Sequence, residues 1–141
     1  MEKRLFVIQE HNAQRAGLHL DLRFESGGQI YDYITKRTGV TDEPLTTAEP
    51  KVLRSFVLPK HELPTSKGKV RMVIPVEDHP WEYKDFEGTI ESGYGAGEVK
   101  LLFSDYIEVS KFTDEKITFK YEEHWYTIFK ASKGFLIKLN D

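Results

Sequence analysis

The chain contains no cysteine, which excludes disulfide bonds, thiolate metal sites and a cysteine nucleophile. Any metal ion must therefore be bound by histidine, aspartate, glutamate or water. No apolar run approaches the roughly 20 residues of a membrane span, and residues 1–4 lead directly into a strand-like segment instead of a signal-peptide core. We therefore expect a soluble cytoplasmic protein that does not contact a membrane.

A dominant charge is also missing. The chain carries 20 basic and 23 acidic residues, for a formal net charge of -3 at pH 7. Proteins that coat duplex nucleic acid need a broad basic surface, because they neutralise many phosphates. Any contact with nucleic acid is therefore expected to be local, at an end or within a cleft.

Helical periodicity is almost absent too, and only residues 11–17 and 46–52 suit a short helical turn. Short β-rich runs separated by breakers dominate instead: residues 5–10, 18–24, 30–34, 52–58, 70–76, 98–103, 106–109, 116–121, 126–130 and 135–139. This spacing predicts a mainly all-β fold, an antiparallel barrel or sandwich. Ten short strands can close on themselves, so we expect a single antiparallel β-barrel with a site in its interior or mouth. At this length, residues 1–141 are expected to form one domain.

Two segments follow neither period. Residues 38–50 are rich in Thr, Asp, Glu and Pro and are expected to form a long surface loop, either a lid or a plain connection. The glycine cluster 93–97 has the composition of a nucleotide-binding loop, but it lacks the full spacing and leads into a strand pattern. We interpret this cluster as a turn.

The most informative segment is residues 9–23, which combines metal-ligand and phosphate-binding residue types. Apolar and polar residues alternate strictly over residues 18–24, so a strand would place His19, Asp21 and Arg23 on one face. Imidazole and carboxylate ligands suit Mn²⁺, Fe²⁺ or Zn²⁺, and an adjacent guanidinium suits a phosphate or carboxylate beside the metal. An isolated His-x-Asp-x-Arg is more often a half-exposed strand whose polar face meets water. The same residue types recur downstream, which favours a site.

A second cluster follows the apolar run 70–76, where two acids and His79 precede Tyr83. Lys60 follows another strand, and Arg71 lies at the start of the apolar run. Together with the arginine of the first cluster they provide three cations for a polyanionic substrate. Each alone would equally well be a solvated surface charge. Two other histidines have no partner at metal-ligand spacing and are expected at the surface: His61 and His124.

Several motifs, in the family's order, resemble the 3′-phosphoesterase domain of bacterial DNA ligase D. They are Gln9-Glu10-His11, Leu18-His19-Leu20-Asp21-Leu22-Arg23, Val57-Leu58-Pro59-Lys60, Val76-Glu77-Asp78-His79-Pro80, and Asp85-Phe86-Glu87-Gly88 followed by Gly93-Tyr94-Gly95-Ala96-Gly97. Each motif is short, but together they are highly specific and cover about residues 4–139. The sequence contains no Lys-x-Asp-Gly ligase motif, so it is most similar to the free-standing type of this domain.

The resemblance implies a manganese-dependent hydrolase that heals 3′ ends in DNA repair by non-homologous end joining. It would remove a 3′-terminal ribonucleoside and then the exposed 3′-phosphate, leaving a 3′-hydroxyl. The cofactor would be one divalent ion, Mn²⁺, with Zn²⁺ or Co²⁺ as substitutes. The partners would be nucleic acid 3′ ends, namely primer–templates with a 3′ ribonucleotide or 3′-phosphate, and a separate DNA ligase or polymerase.

The matching motifs also imply roles for individual residues. The metal ligands would be His11, His19 and Asp21. The other catalytic side chains would be Arg23, His79 and Tyr83. The phosphate contacts would come from Arg23, Lys60 and Arg71, with Glu10 as an accessory residue. Seven residues separate the two histidine ligands, two more than is usual in the bacterial domains, and the extra pair is expected to bulge the loop around Ala16 and Gly17.

Two other functional classes stay open at this point. A His-x-Asp element with a distant histidine on a β-barrel is also the pattern of non-haem iron oxygenases. That class would use His79 as the third ligand and would not need His11. A non-catalytic barrel could instead bind single-stranded nucleic acid through the aromatic residues Trp81, Tyr83 and Tyr94.

Overall fold

The computed structural model of the protein describes residues 2–27, 49–93 and 95–140. The described strands are β1 (Glu2–Ala13), β2 (Gly17–Gly27), β3 (Lys51–Leu58), β4 (Val70–Pro80), β5 (Gly88–Ile90), β6 (Gly97–Phe112), β7 (Lys116–Tyr121), β8 (His124–Ala131) and β9 (Gly134–Leu139). A 3₁₀ helix, Trp81–Asp85, connects β4 with β5. Three predicted features lie outside the described residues: the strand 30–34, almost all of the loop 38–50, and Tyr94. No helix of the described part is long and apolar enough to cross a bilayer.

Eight of the strands close into an antiparallel barrel. They pair in the order β1-β2-β3-β4-β9-β8-β7-β6, and β6 returns to pair with β1. This closing pair extends from Glu2↔Val109 to Ala13↔Gly97, with one register shift after Ile8. The short strand β5 pairs with the first residues of β6. The predicted all-β fold with a single antiparallel barrel is therefore confirmed.

Some local predictions were wrong. Residues 11–17 do not form a helical turn, because β1 and β2 pair without a register shift as far as Ala13↔Gly17. The predicted runs 98–103 and 106–109 are one strand, and the helical turn occurs instead directly after Pro80.

Aromatic and aliphatic side chains fill the barrel. Leu20, Leu22 and Phe24 of β2 alternate into the core, where Phe24 stacks on Phe6 with 4.7 Å between ring centroids. A small barrel filled in this way is a packed core, so among the described residues the site lies neither in the interior nor in the mouth, the two places expected from the sequence. Strand alternation sends the intervening residues of β1, β2 and β3 to the outer wall, and the candidate site is built there.

Candidate active site

Three metal-ligand side chains converge on the outer wall of β1 and β2. His11 and His19 are direct partners in the antiparallel pair, and Asp21 lies two residues further along β2 on the same face. All three side chains are buried, and their ligand atoms lie within 4.8 Å of one another. Asp21 Oδ2 is 3.4 Å from His11 Nδ1, and Asp21 Oδ1 is 3.2 Å from His19 Nε2.

Backbone carbonyl groups orient both imidazole rings. His11 Nε2 donates to the carbonyl of Gly95 at 2.7 Å, and His19 Nδ1 donates to the carbonyl of Gly17 at 3.1 Å. Because a carbonyl oxygen only accepts, the proton of each neutral ring lies on the nitrogen that faces the carbonyl. The other nitrogen of each ring faces Asp21: it carries the lone pair in the neutral ring and donates a hydrogen bond to the carboxylate when the ring is protonated. Two such nitrogens and a carboxylate oxygen fit one divalent transition metal.

The same contacts shift the pKa values of the cluster. The hydrogen bond to Asp21 raises the pKa of His11, although burial opposes this effect. Burial alone would raise the pKa of Asp21, but its hydrogen bonds with His11 and His19 and the charge of Arg23 hold it well below its usual range. Asp21 is therefore ionised at neutral pH, as a carboxylate ligand must be.

The glycine cluster 93–97 contributes directly to this site. It forms the predicted turn, in which Ala96 N donates to the Gly93 carbonyl at 3.2 Å. The turn is joined to the β1–β2 hairpin by a bond from Gln14 N to the Ala96 carbonyl at 2.8 Å. This places the Gly95 carbonyl behind the His11 ring. The Gly95 carbonyl reaches the site because β6 closes the barrel beside β1. The spacing of the glycines alone does not predict this pairing.

Arg23 is fixed beside the ligand cluster by three hydrogen bonds. Its Nε donates to Gln9 Oε1 at 2.7 Å, its Nη1 to Ser55 Oγ at 2.9 Å, and its Nη2 to Asp21 Oδ2 at 3.4 Å. The side chain is only 3% exposed. A guanidinium group has five N–H bonds, of which three bind acceptors among the described residues, and the other two can donate to a substrate oxygen. A buried, oriented cation of this kind suits a phosphate bound next to the ligand cluster.

Gln9 links β1 to the 3₁₀ helix, a role that the sequence interpretation missed. While its Oε1 accepts from Arg23, its Nε2 donates to the carbonyls of Tyr83 and Phe86 at 3.1 and 3.0 Å. A signal was present in the sequence, since Gln9 precedes His11 by two residues and shares its strand face.

Ser55 was missed as well. It accepts from Arg23 and donates to the Leu53 carbonyl at 2.9 Å. Ser55 reaches the site only through the register Arg23↔Ser55 between β2 and β3. No local sequence pattern predicts that register.

His79 and Tyr83 approach the site from β4 and the 3₁₀ helix. The Tyr83 ring centroid lies 4.7 Å from Arg23 Cζ and 4.9 Å from the His79 ring centroid. His79 Nδ1 donates to the Glu77 carbonyl at 2.9 Å, so Nε2 carries the lone pair of the neutral ring. Burial, reinforced by the charge of Arg23, lowers the pKa of His79 to about 4, and burial raises the pKa of Tyr83. Both groups are therefore neutral at pH 7.

Among the described residues, no hydrogen bond or ion pair joins two of the predicted phosphate-binding cations, Lys60 and Arg71, to this cluster. Arg71 Nη2 donates to Glu62 Oε1 at 2.7 Å, and alternation places Arg71 on the inward side of β4 with Val73. Lys60 is exposed in the turn that follows β3.

The predicted accessory residue Glu10 also points away from the ligands, as strand alternation predicts. Its Oε2 lies 2.7 Å from His61 Nε2. His61, which was expected at the surface, is therefore held in a hydrogen-bond contact with its side chain 36% exposed. His124 is exposed, as expected.

The composition of the cluster separates the two enzyme classes. Among the described residues, the group of histidine and acidic side chains close enough to hold a metal contains His11, His19 and Asp21. An oxygenase site would instead need His79 as a ligand and would leave His11 out. The geometry therefore favours the phosphoesterase interpretation.

Comparison with known proteins supports the same family. The model of the DNA Ligase D 3′-phosphoesterase domain matches residues 44–127, which is more than half of the chain. The chain belongs to this family. The matched residues include His79 and Tyr83, whereas the metal-ligand cluster on β1 and β2 precedes them.

Three relatives are multifunctional non-homologous end joining LigD proteins. The protein from Mycolicibacterium smegmatis is 39% identical over 108 residues, 76% of this chain and 11% of the relative. The protein from Mycobacterium tuberculosis strain H37Rv is 38% identical over 114 residues, 80% and 12% of the two chains. The protein from Pseudomonas aeruginosa is 35% identical over 95 residues, 67% and 8%. The chain thus spans about a tenth of the length of these relatives.

Proposed function

We propose that this 3′-phosphoesterase family member heals 3′ ends during DNA repair by non-homologous end joining. It removes a 3′-terminal ribonucleoside and then the 3′-phosphate, leaving a 3′-hydroxyl for a separate DNA ligase or polymerase. The observation that carries this proposal is the convergence of His11, His19 and Asp21 beside the buried guanidinium of Arg23. The names of the relatives, which refer to non-homologous end joining, support the repair context. We further propose that residues 1–141 act as a single domain of this kind.

The proposed cofactor is one Mn²⁺ ion held by His11, His19 and Asp21, with Zn²⁺ or Co²⁺ as substitutes. When bound, such an ion supplies Lewis-acid activation of a phosphate oxygen and of water. Arg23 uses its two remaining N–H bonds to neutralise charge on the nonbridging oxygens, a contribution of about 3 kcal/mol for one well-placed donor. Lys60 is exposed and can reach toward a bound strand, whereas Arg71 would first have to leave Glu62.

His79 and Tyr83 are proposed to act on the phosphate and not on the metal. The lone pair of His79 Nε2 can accept a proton from an attacking water, because the low pKa keeps the ring neutral. An anionic phosphate beside the ring raises that pKa, which lets Nε2 hold the proton taken from the water while the leaving oxygen on the opposite side of phosphorus is protonated by solvent. Tyr83 stays protonated and donates a hydrogen bond to the phosphate.

The test is incubation of a 5′-labelled primer–template with one 3′-terminal ribonucleotide, in Mn²⁺ and in EDTA. We expect a product that lacks the terminal nucleoside and carries a 3′-phosphate, followed by conversion to a 3′-hydroxyl, in Mn²⁺ only. His79→Ala should slow phosphate release about 100-fold while metal content is unchanged, and His124→Ala, which alters an exposed histidine, should match the wild type. Product formation in EDTA, or release of an intact nucleotide, would contradict the proposal.

A further inference from the structure

The outer wall of β7, β8 and β9 carries a concentration of positive charge. Two adjacent clefts share Lys116, Thr127 and Lys138. Among the described residues, the charged side chains that line these clefts are five lysines and one glutamate: Lys67, Lys111, Lys116, Lys130, Lys138 and Glu115. The chain as a whole has a formal net charge of -3, whereas the residues that line this wall carry a net positive charge.

This wall lies on the opposite side of the barrel from the metal-ligand cluster. In the closed ring of eight strands, β8 is four steps from β2 in either direction. A nucleic-acid strand whose 3′ end occupies the metal-ligand cluster would have to pass around the barrel to reach β8. The charge on this wall therefore does not belong to the candidate active site.

Strand pairing arranges aromatic and cationic side chains side by side here. Tyr126 and Ile128 point into the core, so Trp125, Thr127 and Phe129 point outward from β8. The row Lys116↔Phe129 on β7 and β8 continues to Leu136 of β9, and the next row joins Thr118, Thr127 and Lys138. Lys138 Nζ lies 5.5 Å from the Phe129 ring centroid.

The polar groups between the aromatic rings form a short network. The Oγ1 atoms of Thr118 and Thr127 are 3.1 Å apart, and Asn140 Nδ2 donates to Thr127 Oγ1 at 2.9 Å. Within the described residues, neither Lys116 nor Lys138 is paired with a carboxylate. Their charges are thus available to an external anion.

We propose that this wall, the lysine face (Lys116, Thr118, Trp125, Phe129 and Lys138), is a second nucleic-acid site that binds a single-stranded segment. The lysines neutralise phosphates, and Trp125 and Phe129 provide surfaces on which unpaired bases stack. An acidic protein segment would satisfy the lysines but would make no specific use of two outward aromatic rings on one strand. The inference rests on the proposed function, because a protein that heals strand ends acts on nucleic acid that also exposes unpaired segments away from the end that it processes.

The chain offers a direct optical test, since it has two tryptophans and Trp81→Phe leaves Trp125 as the single one. Titration of this variant with a 20-nucleotide oligodeoxythymidylate in EDTA should quench the Trp125 fluorescence. The titration should saturate at the same concentration as the anisotropy of a labelled oligonucleotide. Binding without quenching would overturn base stacking on this face. Equally tight binding and quenching by a polyglutamate peptide would assign the face to an acidic protein partner.

The charge contribution is tested with Lys116→Gln/Lys138→Gln. The matched control Lys3→Gln/Lys133→Gln removes the same charge at exposed positions that do not line the clefts. We expect affinity to fall about tenfold in the first variant, and the slope of log K against log salt to decrease by about 1.4, for two phosphate contacts on a single strand. The control should stay within about twofold of the wild type. Unchanged binding in the first variant, or an equal loss in both, would overturn the proposal.

The same preparations separate this proposal from the proposed function. Lys116→Gln/Lys138→Gln should hydrolyse a short 3′-phosphorylated trinucleotide at the wild-type rate, whereas Asp21→Ala should lose turnover and keep the Trp125 quenching. Quenching without any 3′-phosphate release by the wild type would defeat the proposed function alone. Release without lysine-dependent binding would defeat the lysine face alone.

Discussion

Asp21 is the residue through which the parts of the candidate site are connected. Its two carboxylate oxygens face one histidine each, and Oδ2 also accepts from the Arg23 guanidinium. Burial alone would raise the pKa of this carboxyl group, whereas here the contacts with His11, His19 and Arg23 keep it low. One side chain thus couples the metal-binding half of the site to its phosphate-binding half.

Asp21→Asn removes the negative charge with almost no change in shape. We expect loss of bound divalent metal and of turnover, because the two imidazoles alone lack the charge that retains the ion. Elemental analysis after dialysis measures the metal content. Asp105→Asn, which alters an exposed carboxylate, should retain the full amount. Equal metal content in both variants would contradict the assignment of Asp21 as a ligand.

Arg23→Lys keeps the charge but loses the planar fork that binds Gln9 and Ser55. We expect kcat/KM for 3′-phosphate release to fall by about 10²–10³, the scale of one oriented donor. Because the three hydrogen bonds of Arg23 are buried, we also expect a loss of about 1–3 kcal/mol in the free energy of unfolding.

The control for this variant is Arg71→Lys, since Arg71 lies in a half-exposed ion pair with Glu62. Thermal melting together with activity per folded molecule distinguishes the two positions. An equal loss of activity in both variants would show that Arg71 contacts the phosphate after all.

Protonation of His79 makes the free energy of unfolding depend on pH between 6.5 and about 4. Its pKa is about 4 in the folded state, against 6.5 as the ordinary value, so protonation favours the unfolded chain. This stabilisation is present above pH 6.5 and is lost as the pH falls from 6.5 through about 4, to a limit on the order of 3 kcal/mol. Urea unfolding in EDTA at pH 7.5 and 4.5 should show a smaller acid loss for His79→Asn than for the wild type or His124→Asn. Parallel losses in all three would show that His79 is not the responsible group.

At the scale of elements, the β1–β2 hairpin and the 3₁₀ helix together form the site. The alternation of residues 18–24 correctly predicted the strand and the shared face of His19 and Asp21, because a two-residue period is local. The contact of Ser55 and Gly95 with the site was not predictable, because it depends on strand register and on barrel closure between distant segments. The 3₁₀ helix was missed because five residues are too few to show a period.

Gln9→Leu tests whether the 3₁₀ helix is positioned by β1. The variant removes the donor to the Tyr83 and Phe86 carbonyls and the acceptor of Arg23 Nε. We expect kcat to fall at least tenfold with unchanged metal content, and hydrogen exchange to increase across residues 81–86, because the helix loses its link to the sheet. Normal exchange in this segment combined with normal kcat would show that the link is dispensable.

At the scale of the whole molecule, the filled barrel acts as a rigid support for two chemically different outer walls. The seam between β1 and β6 controls closure, and it also brings the Gly95 turn to the His11 ring. Stability and metal-site geometry are therefore coupled at this seam. A change there should affect both properties, whereas a change in a distant turn should leave the metal site unaffected.

Gly97→Ala tests this coupling. Gly97 pairs with Ala13 at the end of the seam with φ 148°, and a Cβ there would collide with the Asn12 carbonyl. The control Gly134→Ala has a similar φ of 131° and open space around the added Cβ, so it isolates the conformational strain from the collision. We expect Gly97→Ala to lower the free energy of unfolding by about 3 kcal/mol more than the control, and to weaken Mn²⁺ binding as the Gly95 carbonyl shifts from His11. Equal destabilisation by the two variants, with Mn²⁺ affinity unchanged in both, would show that the seam does not position the metal site.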